Sequence, residues 1–499
     1  MLKKILLGVG GGIVLIVAIV LFRTFTFGSA AATGPAITLQ APPDIDTMQA
    51  AEHLGEAIRF RTVTVAPGDP RVGQEGPWLE QQAWMQDTYP DFHAAASRET
   101  VPGTLTLIYT WQGSDPSLKP LLLMAHQDVV PVNIGTESDW ATGPFSGAVV
   151  DGWVYGRGAM DDKGSMVTLF EALDALAKDG FAPKRTILLM LGHDEEVSGS
   201  GAQAGIALLK ERGVEPEMAL DEGMVILDPS PLTGKRAAFI GVAEKGYLTV
   251  KITATAEGGH SSTPPRNSAT VRLARALIAL DENQMPSHAS QPPISDLFAA
   301  SAEDLGFMTK LAVANQWLFG AAIEGQANKD TALNALIRTT TAPTVLVGSA
   351  KENVLAQRAV ALVNFRVHPQ DSVAAVIAHI EELTKDIEGI SIERSEDTGI
   401  RGGDASPVSP TDNLSFAVLA AVASEIGEGA PAVPALVLAA TDSRYAGAIT
   451  PNVYRFAPAV VSTADVAGIH GTDEKISVEN VGRMARGYAM IIKAMDNQP

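Results

Sequence analysis

Acidic residues and histidines recur in this sequence at the ends of apolar runs and in loops, where ligands bind in α/β proteins. The set comprises His126 with Asp128, Asp161 with Asp162, Glu195 with Glu196, Asp221 with Glu222, and His470. Mixed imidazole and carboxylate ligands suit Zn²⁺ in an open, catalytic coordination. Two zinc ions roughly 3.5–4 Å apart can hold a hydroxide between them and polarise a carbonyl. These residue types therefore favour a metal-dependent hydrolase.

Some of these positions carry more specific expectations. Two metal ions need more ligands than one side chain each, and a shared carboxylate such as Asp161, at a strand-to-helix turn, meets that need. Of the neighbours Glu195 and Glu196, one could bind metal while the other takes a proton from water. Asp128 is placed to orient the imidazole two residues before it. The alternative for Asp161 and Asp162 is that they cap the helix that follows.

Composition narrows the class of protein. The 499 residues are enough for two or three domains, and 46% of them are hydrophobic, which is typical of a globular chain. A formal charge of -20 argues against nucleic acid or an anionic membrane surface as the main partner, because both need a basic patch. The sequence has no cysteine, so disulfides are excluded and a metal site must use His, Asp and Glu.

The amino terminus predicts a helix directed to a membrane. Two lysines precede an uncharged run, residues 5–22, which at about 1.5 Å per residue spans roughly 27 Å, just short of a bilayer core. Because this run is longer than the apolar region of a signal peptide, we favour an uncleaved signal anchor, with cleavage near the alanines at 30–32 as the alternative. The lysines should stay in the cytoplasm, which places the rest of the chain in the periplasm or outside the cell, anchored or, after cleavage, secreted. Segment 1–30 is the anchor or signal peptide, and 31–45 is a linker.

The body of the chain alternates predicted strands, acidic or histidine-bearing turns, and helices, which is the rhythm of a doubly wound α/β sheet. Continuous apolar runs such as PLLLMA and TILLML suit parallel strands that are covered on both faces. Predicted strands lie at 105–111, 120–125, 152–155, 186–191, 218–220 and 435–440, and predicted helices at 46–59, 78–89, 202–212 and 413–426.

The pattern changes near residue 247. Strands and helices then follow the order β-α-β-β-α-β, the split βαβ pattern, if the helical segment 286–338 is treated as an elaboration. The predicted strands are 247–256, 339–347, 359–367 and 390–393, and the predicted helices are 267–280 and 373–385. We therefore predict a second domain, 247–397, inserted between two parts of the first, 46–246 and 398–499.

Several ordered motifs resemble those of the zinc-dependent exopeptidases that include carboxypeptidase S, glutamate carboxypeptidase and aminoacylase. The segments are MAHQDVVPV, YGRGAMDDKGS, LGHDEEVSGSGA, LDEGM and GIHGTDEKISVEN, together with GGHSSTPP, ALVNFRVHP and TDSRYAGAITPNVYRFAP. HDEEVSG, LDEG and the long helical insert are most similar to carboxypeptidase S and the secreted N-acyl-amino-acid synthase/hydrolases. The resemblance covers roughly residues 45–495. It implies a di-zinc peptidase domain of the α/β class with an inserted ferredoxin-like lid and dimerisation domain.

The resemblance also implies a role for each position. It implies five metal ligands. Asp161 would bridge two zinc ions, His126 and Asp221 would complete one ion, and Glu196 and His470 would complete the other. Glu195 would be the general base, and Asp128 would orient the metal-bound imidazole. Some family members bind metal through the acid that aligns with Glu222, which remains the alternative to Asp221. The peptide bond between the two acids of YGRGAMDDKG is implied to be cis, as in relatives.

Four further residues in the matching segments are candidates for binding substrate: His260, Asn353, Arg366 and Arg444. By resemblance, His260 stabilises the oxyanion, often in the partner subunit's active site, and the alternative is a turn histidine that caps the next helix. Arg366 suits planar recognition of a carboxylate, and the alternative is a structural salt bridge. His193 is expected to support its turn without binding metal. The histidines at 53, 93, 288, 368 and 379 have no convergent partner in the sequence and are expected at the surface or in the core.

The sequence thus predicts a di-zinc hydrolase that cleaves the amide next to a free carboxylate in small peptides or N-acyl amino acids. One alternative is an aminopeptidase or deacetylase with the same fold. Another is a non-catalytic relative that binds peptides or acyl amino acids, although the intact base and ligand positions count against it. The dimerisation domain implies a homodimer, and the membrane is expected to be contacted through the N-terminal helix.

Overall fold

The computed structural model describes residues 2–28, 34–395 and 402–498, with side chains from Val9 onward in the first helix. The expected cleavage site at 30–32 and the expected domain boundary at 397 lie outside these residues. The chain divides into two compact units. The larger unit comprises Ala32–Ala243, Pro407–Val437 and Thr441–Pro499, and the smaller unit comprises Met1–Ala31, Glu244–Ser406 and Leu438–Ala440.

The secondary structure has the following bounds. The helices are α1 (Leu2–Thr26), α2 (Thr47–Arg59), α3 (Gly76–Thr88), α4 (Pro90–Ala95), α5 (Lys163–Lys178), α6 (Ser200–Glu211), α7 (Ala269–Glu282), α8 (Ile294–Ala300), α9 (Phe307–Ala314), α10 (Gln316–Ala327), α11 (Thr331–Ile337), α12 (Val373–Thr384), α13 (Leu414–Ile426), α14 (Thr463–Val466) and α15 (Val478–Asp496), with 3-10 turns at Glu137–Asp139 and Asp442–Ala448. The strands are β1 (Ser97–Thr100), β2 (Leu107–Trp111), β3 (Leu121–His126), β4 (Ala148–Val150), β5 (Trp153–Tyr155), β6 (Ile187–Gly192), β7 (Met218–Asp221), β8 (Ile226–Leu227), β9 (Ala237–Glu244), β10 (Gly246–Thr255), β11 (Gly259–His260), β12 (Thr340–Val347), β13 (Val354–Leu355), β14 (Arg358–Val367), β15 (Ile390–Arg394), β16 (Ala432–Val437), β17 (Val453–Arg455), β18 (Val460–Val461) and β19 (Lys475–Ser477).

The larger unit is built on a mixed sheet with the strand order β1-β2-β6-β3-β7-β17-β9-β8-β18. Strands β6, β3, β7 and β17 run parallel, while β1, β2 and β9 pair with their neighbours antiparallel. Every residue of β3 and β6 is buried, which confirms that the runs PLLLMA and TILLML form strands covered on both faces. One face carries apolar side chains of α2, α5, α13 and α15, and the other carries those of α6. Helices on both faces make this a doubly wound α/β unit.

Helix α2 shows how local sequence and burial combine in this unit. Oδ1 of Asp46 accepts hydrogen bonds from the backbone N–H groups of Met48 (2.9 Å) and Gln49 (3.1 Å), so Asp46 caps the helix. The apolar residues that recur at helical spacing face the core, where Leu54 and Ile58 are fully buried. The cap therefore fixes where α2 begins, and the burial of its apolar face fixes which side of the helix packs against the core.

The smaller unit contains an antiparallel sheet with the order β12-β14-β10-β15. Its chain order, β10, α7, β12, β14, α12, β15, is the predicted split βαβ pattern. Alternate residues such as Val250 and Phe365 are buried on the face covered by α7 and α12. Helices α8 to α11 lie between α7 and β12, as expected for the insert at 286–338.

Several elements of the larger unit were not predicted from local sequence, among them β9, β17 and α15. Strand β17 has only three residues and lies in a segment that reads as a loop, but it pairs with β7 in the middle of the sheet. Helix α15 follows the last expected ligand and is almost completely buried. The predicted strand 435–440 is also displaced, because the observed β16 begins at Ala432 and ends at Val437. Long-range pairing and burial, which no local pattern shows, determine these elements.

Candidate metal centre

The expected metal-binding residues meet at one edge of the sheet in the larger unit. His126 is the last residue of β3, Asp221 is the last residue of β7, and Glu195 follows β6 by three residues. Because β6, β3 and β7 are adjacent and parallel, their carboxyl ends lie side by side. Asp161 joins them from the turn that precedes α5, and His470 joins them from the loop before β19.

The carboxylate of Asp161 lies between two imidazoles. Its Oδ1 is 3.0 Å from Nε2 of His126, and its Oδ2 is 3.0 Å from Nε2 of His470. Oε2 of Glu196 is 3.2 Å from the same Nε2 of His470. One carboxylate that offers each oxygen to a different histidine has the arrangement that a ligand bridging two cations needs.

The two neighbouring acids at the end of β7, Asp221 and Glu222, have different partners. Oε1 of Glu222 lies 3.2 Å from Nε2 of His126, next to Asp161. The carboxylate of Asp221 instead accepts a hydrogen bond from the backbone N–H of Ser443 (2.7 Å) through Oδ2. The residue that the structure brings to the imidazole is therefore Glu222, whereas the resemblance had favoured Asp221.

Asp128 holds the turns that present the ligands. Nδ1 of His126 lies 3.0 Å from the backbone oxygen of Asp128 and 3.2 Å from its Oδ1, which leaves Nε2 for the centre. The same carboxylate accepts hydrogen bonds from the backbone N–H groups of Glu195 (3.0 Å) and Glu196 (3.2 Å) and from the hydroxyl of Thr64 (2.7 Å). Asp128 thus orients an imidazole and also positions the turn after β6.

Asp162 has a different environment from Asp161, although the two are joined by the expected cis peptide bond. Its Oδ2 accepts a hydrogen bond from the backbone N–H of His126 (3.1 Å). Its side chain makes no capping hydrogen bond to α5 within the described structure. The carboxylate of Asp161 faces the two imidazoles, so the capping alternative does not describe either acid.

Several carboxylates are buried close together in the centre, and their pKa values are shifted as a result. Burial, followed by the negative charge of Asp161, raises the pKa of Glu222 to about 8. Burial also raises the pKa of Glu195 well above that of an ordinary glutamate. Hydrogen bonds with Asp161 and Glu196 raise the pKa of His470 to about 10. Without a cation, protons therefore stabilise this cluster at neutral pH, and metal binding would displace them.

The donor set fits metal ions. Imidazole and carboxylate atoms lie within 4.8 Å of one another in two overlapping groups, His126 with Asp161 and Glu196, and His126 with Asp162 and Glu222. Oε1 of Glu196 is buried and has no hydrogen-bond partner among the described residues. A buried carboxylate oxygen without a donor is costly unless a cation balances it. Nitrogen and oxygen ligands without thiolates suit Zn²⁺ among other divalent metals.

A buried ion pair that the sequence analysis missed connects two ligand-bearing loops. Nη1 of Arg157 is 2.6 Å from Oε2 of Glu474, and both side chains are buried. Oε1 of Glu474 accepts hydrogen bonds from the backbone N–H groups of Gly158 (3.1 Å), Met160 (2.9 Å) and Asp161 (3.2 Å). Nη2 of Arg157 donates to the backbone oxygens of His470 and Gly471, both at 3.1 Å. The pair thus holds the Asp161 turn against the His470 loop.

Glu474→Gln is expected to lower the free energy of unfolding of the larger unit by about 3–5 kcal/mol, because it leaves the Arg157 guanidinium buried without its counter-charge. Urea unfolding followed by tryptophan fluorescence measures the change. Glu479→Gln is the matched control, since Glu479 is an exposed residue of α15 that pairs with Arg483. The control should change stability by less than about 0.5 kcal/mol. Equal unfolding midpoints for the two variants would show that the buried pair does not hold the loops.

Three of the four substrate-binding candidates lie in the smaller unit. His260 and Asn353 come together there, because β11 pairs with β13 and the backbone N–H of Ser261 donates to the oxygen of Asn353 (3.2 Å). Nδ1 of His260 accepts the backbone N–H of Ser262 (3.1 Å), which leaves the proton on Nε2. Arg366 is in the central strand β14, with its guanidinium 4.9 Å from the ring centroid of Tyr247.

The fourth candidate, Arg444, lies in the larger unit beside the turn after β6. Its Nη2 donates to the backbone oxygen of Ser198 (2.9 Å), and its guanidinium lies 4.8 Å from the ring centroid of Tyr445. His193 supports the same turn, as expected, because Nδ1 pairs with the hydroxyl of Thr106 (2.9 Å). The remaining histidines are occupied by contacts outside the centre: His53, His93, His288, His368 and His379.

A family model and several known proteins are similar to this chain. The model of peptidase family M20/M25/M40 matches residues 122–494. The chain belongs to peptidase family M20/M25/M40. This M20 chain is 34% identical over 494 residues to an N-fatty-acyl-amino acid synthase/hydrolase of Xenopus tropicalis, with 97% of the chain and 94% of that protein covered. It is 31% identical over 475 residues to carboxypeptidase S of Saccharomyces cerevisiae, with 86% of the chain and 81% of that protein covered.

Solved structures show the same fold. A metallo-carboxypeptidase of Sulfolobus solfataricus superposes with a TM-score of 0.65 at 15% identity, and the match covers 90% of the M20 chain and 100% of that chain. The family expected from the ordered motifs is therefore confirmed. As an M20 peptidase, the protein is a metal-dependent hydrolase of the α/β class.

Proposed function

We propose that this M20 peptidase is a di-zinc hydrolase that cleaves the amide bond next to a free carboxylate. The observation that carries the proposal is the carboxylate of Asp161, with one oxygen 3.0 Å from each of two imidazoles. The relatives include proteins named for acyl-amino-acid hydrolysis and for carboxypeptidase activity, and in both reactions the scissile amide adjoins an amino-acid carboxylate. The substrate class is therefore N-acyl amino acids or small peptides.

The residues that would hold the two zinc ions follow from the distances. Asp161 would be shared by the two ions, His126 and Glu222 would help to hold one of them, and His470 and Glu196 would help to hold the other. Asp221 then serves to position the segment at Ser443, to whose backbone it is hydrogen-bonded. When bound, the zinc ions would polarise the scissile carbonyl and acidify a water molecule.

Glu222→Gln should weaken zinc binding at one site by at least about tenfold, whereas Asp221→Asn should leave zinc binding within about threefold of the wild type. The first change removes a charged oxygen that faces Nε2 of His126, and the second keeps an acceptor for the Ser443 N–H. Zinc per chain, measured after dialysis against a chelator of graded concentration, gives both values. If Asp221→Asn weakened zinc binding more than Glu222→Gln, Asp221 would be the metal ligand instead.

Proton transfer, oxyanion stabilisation and substrate binding are proposed roles of side chains. Glu195 adjoins the proposed ligand Glu196, and burial raises the pKa of its carboxyl well above that of an ordinary glutamate, which makes it a stronger base towards water. Glu195 takes the proton of the attacking water and donates it to the leaving amine. His260, with its proton on Nε2, would donate a hydrogen bond to the oxyanion. Arg366, Asn353 and Arg444 are proposed to bind the substrate.

The N-terminal helix gives the proposed location. Residues Val9–Thr26 of α1 are long and apolar enough to cross a membrane. We propose that α1 remains as an anchor and holds both units outside the cytoplasm, in the periplasm or extracellular space, with secretion after cleavage as the alternative. The smaller unit is proposed to act as a lid and to contribute to a homodimer, which would let His260 serve the partner's site.

A substrate panel tests the proposed function. The zinc-loaded full chain is assayed with an N-acyl amino acid, a dipeptide with a free carboxylate, and the same two compounds with the carboxylate amidated. We expect the free acids to be cleaved and the amidated compounds to react at least about tenfold more slowly, since Arg–carboxylate recognition is lost. Equal rates for free and amidated compounds would contradict the proposal. Cleavage of peptides that need a free amino end would favour an aminopeptidase.

A further inference from the structure

The end of α1 is docked against the helical insert of the smaller unit. Nε of Arg23 donates to the backbone oxygen of Ala314 at the end of α9 (3.1 Å). Nδ2 of Asn315 donates to the backbone oxygen of Val20 (3.2 Å) and to the hydroxyl of Thr24 (3.1 Å). These contacts bury Val20 and Thr24, while most of the apolar side chains of α1 from Val9 onward stay exposed.

The insert presents its own apolar surface beside this junction. Four large side chains in α9 and α10 are strongly exposed, Phe307 by 51%, Met308 by 72%, Trp317 by 57% and Leu318 by 47%. The ring of Phe307 lies 6.4 Å from that of Phe25 in α1, so the two surfaces are continuous. Ala321 and Ala322, one turn after Trp317 and Leu318, are also exposed and extend the same face of α10.

The composition of this stretch differs from the rest of the chain. Residues 305–323, LGFMTKLAVANQWLFGAAI, contain a single charged residue, Lys310, whereas 19% of the whole sequence is charged. Exposed aromatic and aliphatic residues without charge are costly in water and favourable at the boundary between lipid headgroups and acyl chains. Trp317 of α10 is of a residue type that is enriched at membrane interfaces.

The length of α1 indicates how deep in a membrane the exposed apolar side chains of α9 and α10 would lie. At about 1.5 Å per residue, the run 5–22 and the window Val9–Thr26 each span roughly 27 Å, close to a hydrocarbon core of about 30 Å, so in either placement the end of the window lies at the outer edge of that core. The residues that touch the insert, Val20 to Phe25, are the last turns of that window. A bilayer that contains α1 therefore reaches α9 and α10 at its outer interface.

We infer that α9 and α10 form a membrane-docking surface, in which Phe307, Met308, Trp317 and Leu318 enter the outer leaflet beside the anchor. The inference rests on the proposed retention of α1 as an anchor. The smaller unit is then held to the bilayer at two adjoining places, a spanning helix and a helix pair that lies in the interface. A second copy of the chain covering the same surface is the competing outcome.

The absence of cysteine from the sequence allows single-site labelling of the full, zinc-loaded chain. Nitroxide labels at Met308→Cys and Leu318→Cys are compared with a label at Val72→Cys, a fully exposed position in the larger unit. In phosphatidylcholine vesicles, oxygen and nickel accessibilities should place the first two labels about 5–10 Å below the phosphates. The control label should remain in water.

Each other outcome overturns the inference in a recognisable way. Aqueous accessibility at positions 308 and 318 in vesicles that carry the protein would leave the anchor intact but exclude the docking surface. Spin–spin broadening at those positions would show that a second copy covers them. Failure of the chain to float with the vesicles would exclude the anchor as well. Hydrolysis of a soluble acyl amino acid by the same labelled variants reports on the proposed function separately.

Discussion

Glu195→Gln is expected to lower kcat by about 10²–10⁴-fold, the usual contribution of a general base, while the zinc content stays unchanged. Glutamine keeps the size of the side chain but cannot accept the proton of the attacking water. The two anchoring contacts of this turn involve backbone N–H groups, those of Glu195 and Glu196 to Asp128, so the substitution leaves them in place. Steady-state kinetics and metal analysis on the same sample test both parts.

Glu211→Gln is the matched control for this experiment, since Glu211 is an exposed residue at the end of α6. The control should retain the wild-type kcat. Full activity of Glu195→Gln would remove the base assignment, and a loss of zinc in that variant would show that Glu195 acts as a ligand instead. A lowered kcat with both metals retained is the only result that supports the proposed role.

Asp161→Asn is expected to weaken zinc retention and to lower kcat by at least about 10³-fold. The loss of activity follows because zinc supplies several kcal/mol of transition-state stabilisation. The amide is neutral and offers one oxygen, whereas the carboxylate presents an oxygen to each of two imidazoles. Zinc per chain should fall below two after dialysis. Added zinc should restore little activity, since the bridge itself is missing.

Asp87→Asn in α3 provides the control for the loss of one surface carboxylate, because Asp87 is exposed. It should retain two zinc ions per chain and full activity. Two zinc ions and wild-type kinetics in Asp161→Asn would mean that the carboxylate between the histidines does not bridge. A variant that keeps zinc but loses activity would assign Asp161 to catalysis without a bridging role.

The sequence predicted the parts of this protein that depend on local pattern and on ordered motifs. The buried runs PLLLMA and TILLML became adjacent strands, and the residues that follow them carry His126 and Glu195 to the same edge of the sheet. The alternating strands and helices after residue 247 became the antiparallel sheet of the smaller unit. The periodicity of apolar residues and the ends of the predicted strands can be read from the sequence, and together they indicate where most of the candidate ligands lie.

Features that depend on where a side chain points were not visible. Oε1 of Glu222 lies beside the imidazole of His126, whereas Oδ2 of Asp221 accepts a hydrogen bond from the backbone N–H of Ser443. Glu474 lies four residues after His470 in a matching motif, but its buried pairing with Arg157 could not be inferred, since charged residues usually lie at the surface. The Asp221–Ser443 and Arg157–Glu474 contacts join residues that are 222 and 317 positions apart in the sequence.

Close approach explains two glycines in the same way. The carboxylate of Asp442 packs against Gly192 and Gly199, where a Cβ at either position would collide with one of its oxygens. Gly199 also has a positive φ of 62°. Spacing shows that the motif after β6 is rich in glycine, but only the fold shows which side chain needs the space.

The position of β17 between β7 and β9 has a consequence for how the protein is made. During synthesis, β7 and β9 emerge long before β17, so the nascent larger unit carries two unpaired strand edges until residues 453–455 leave the ribosome. Unpaired edges are templates for aggregation. His470 emerges later still, so a chain stalled before this point has neither a closed sheet nor a complete set of ligands. We therefore expect the newly made chain to need protection by chaperones, and the proposed metal site to be completed only after His470 has emerged.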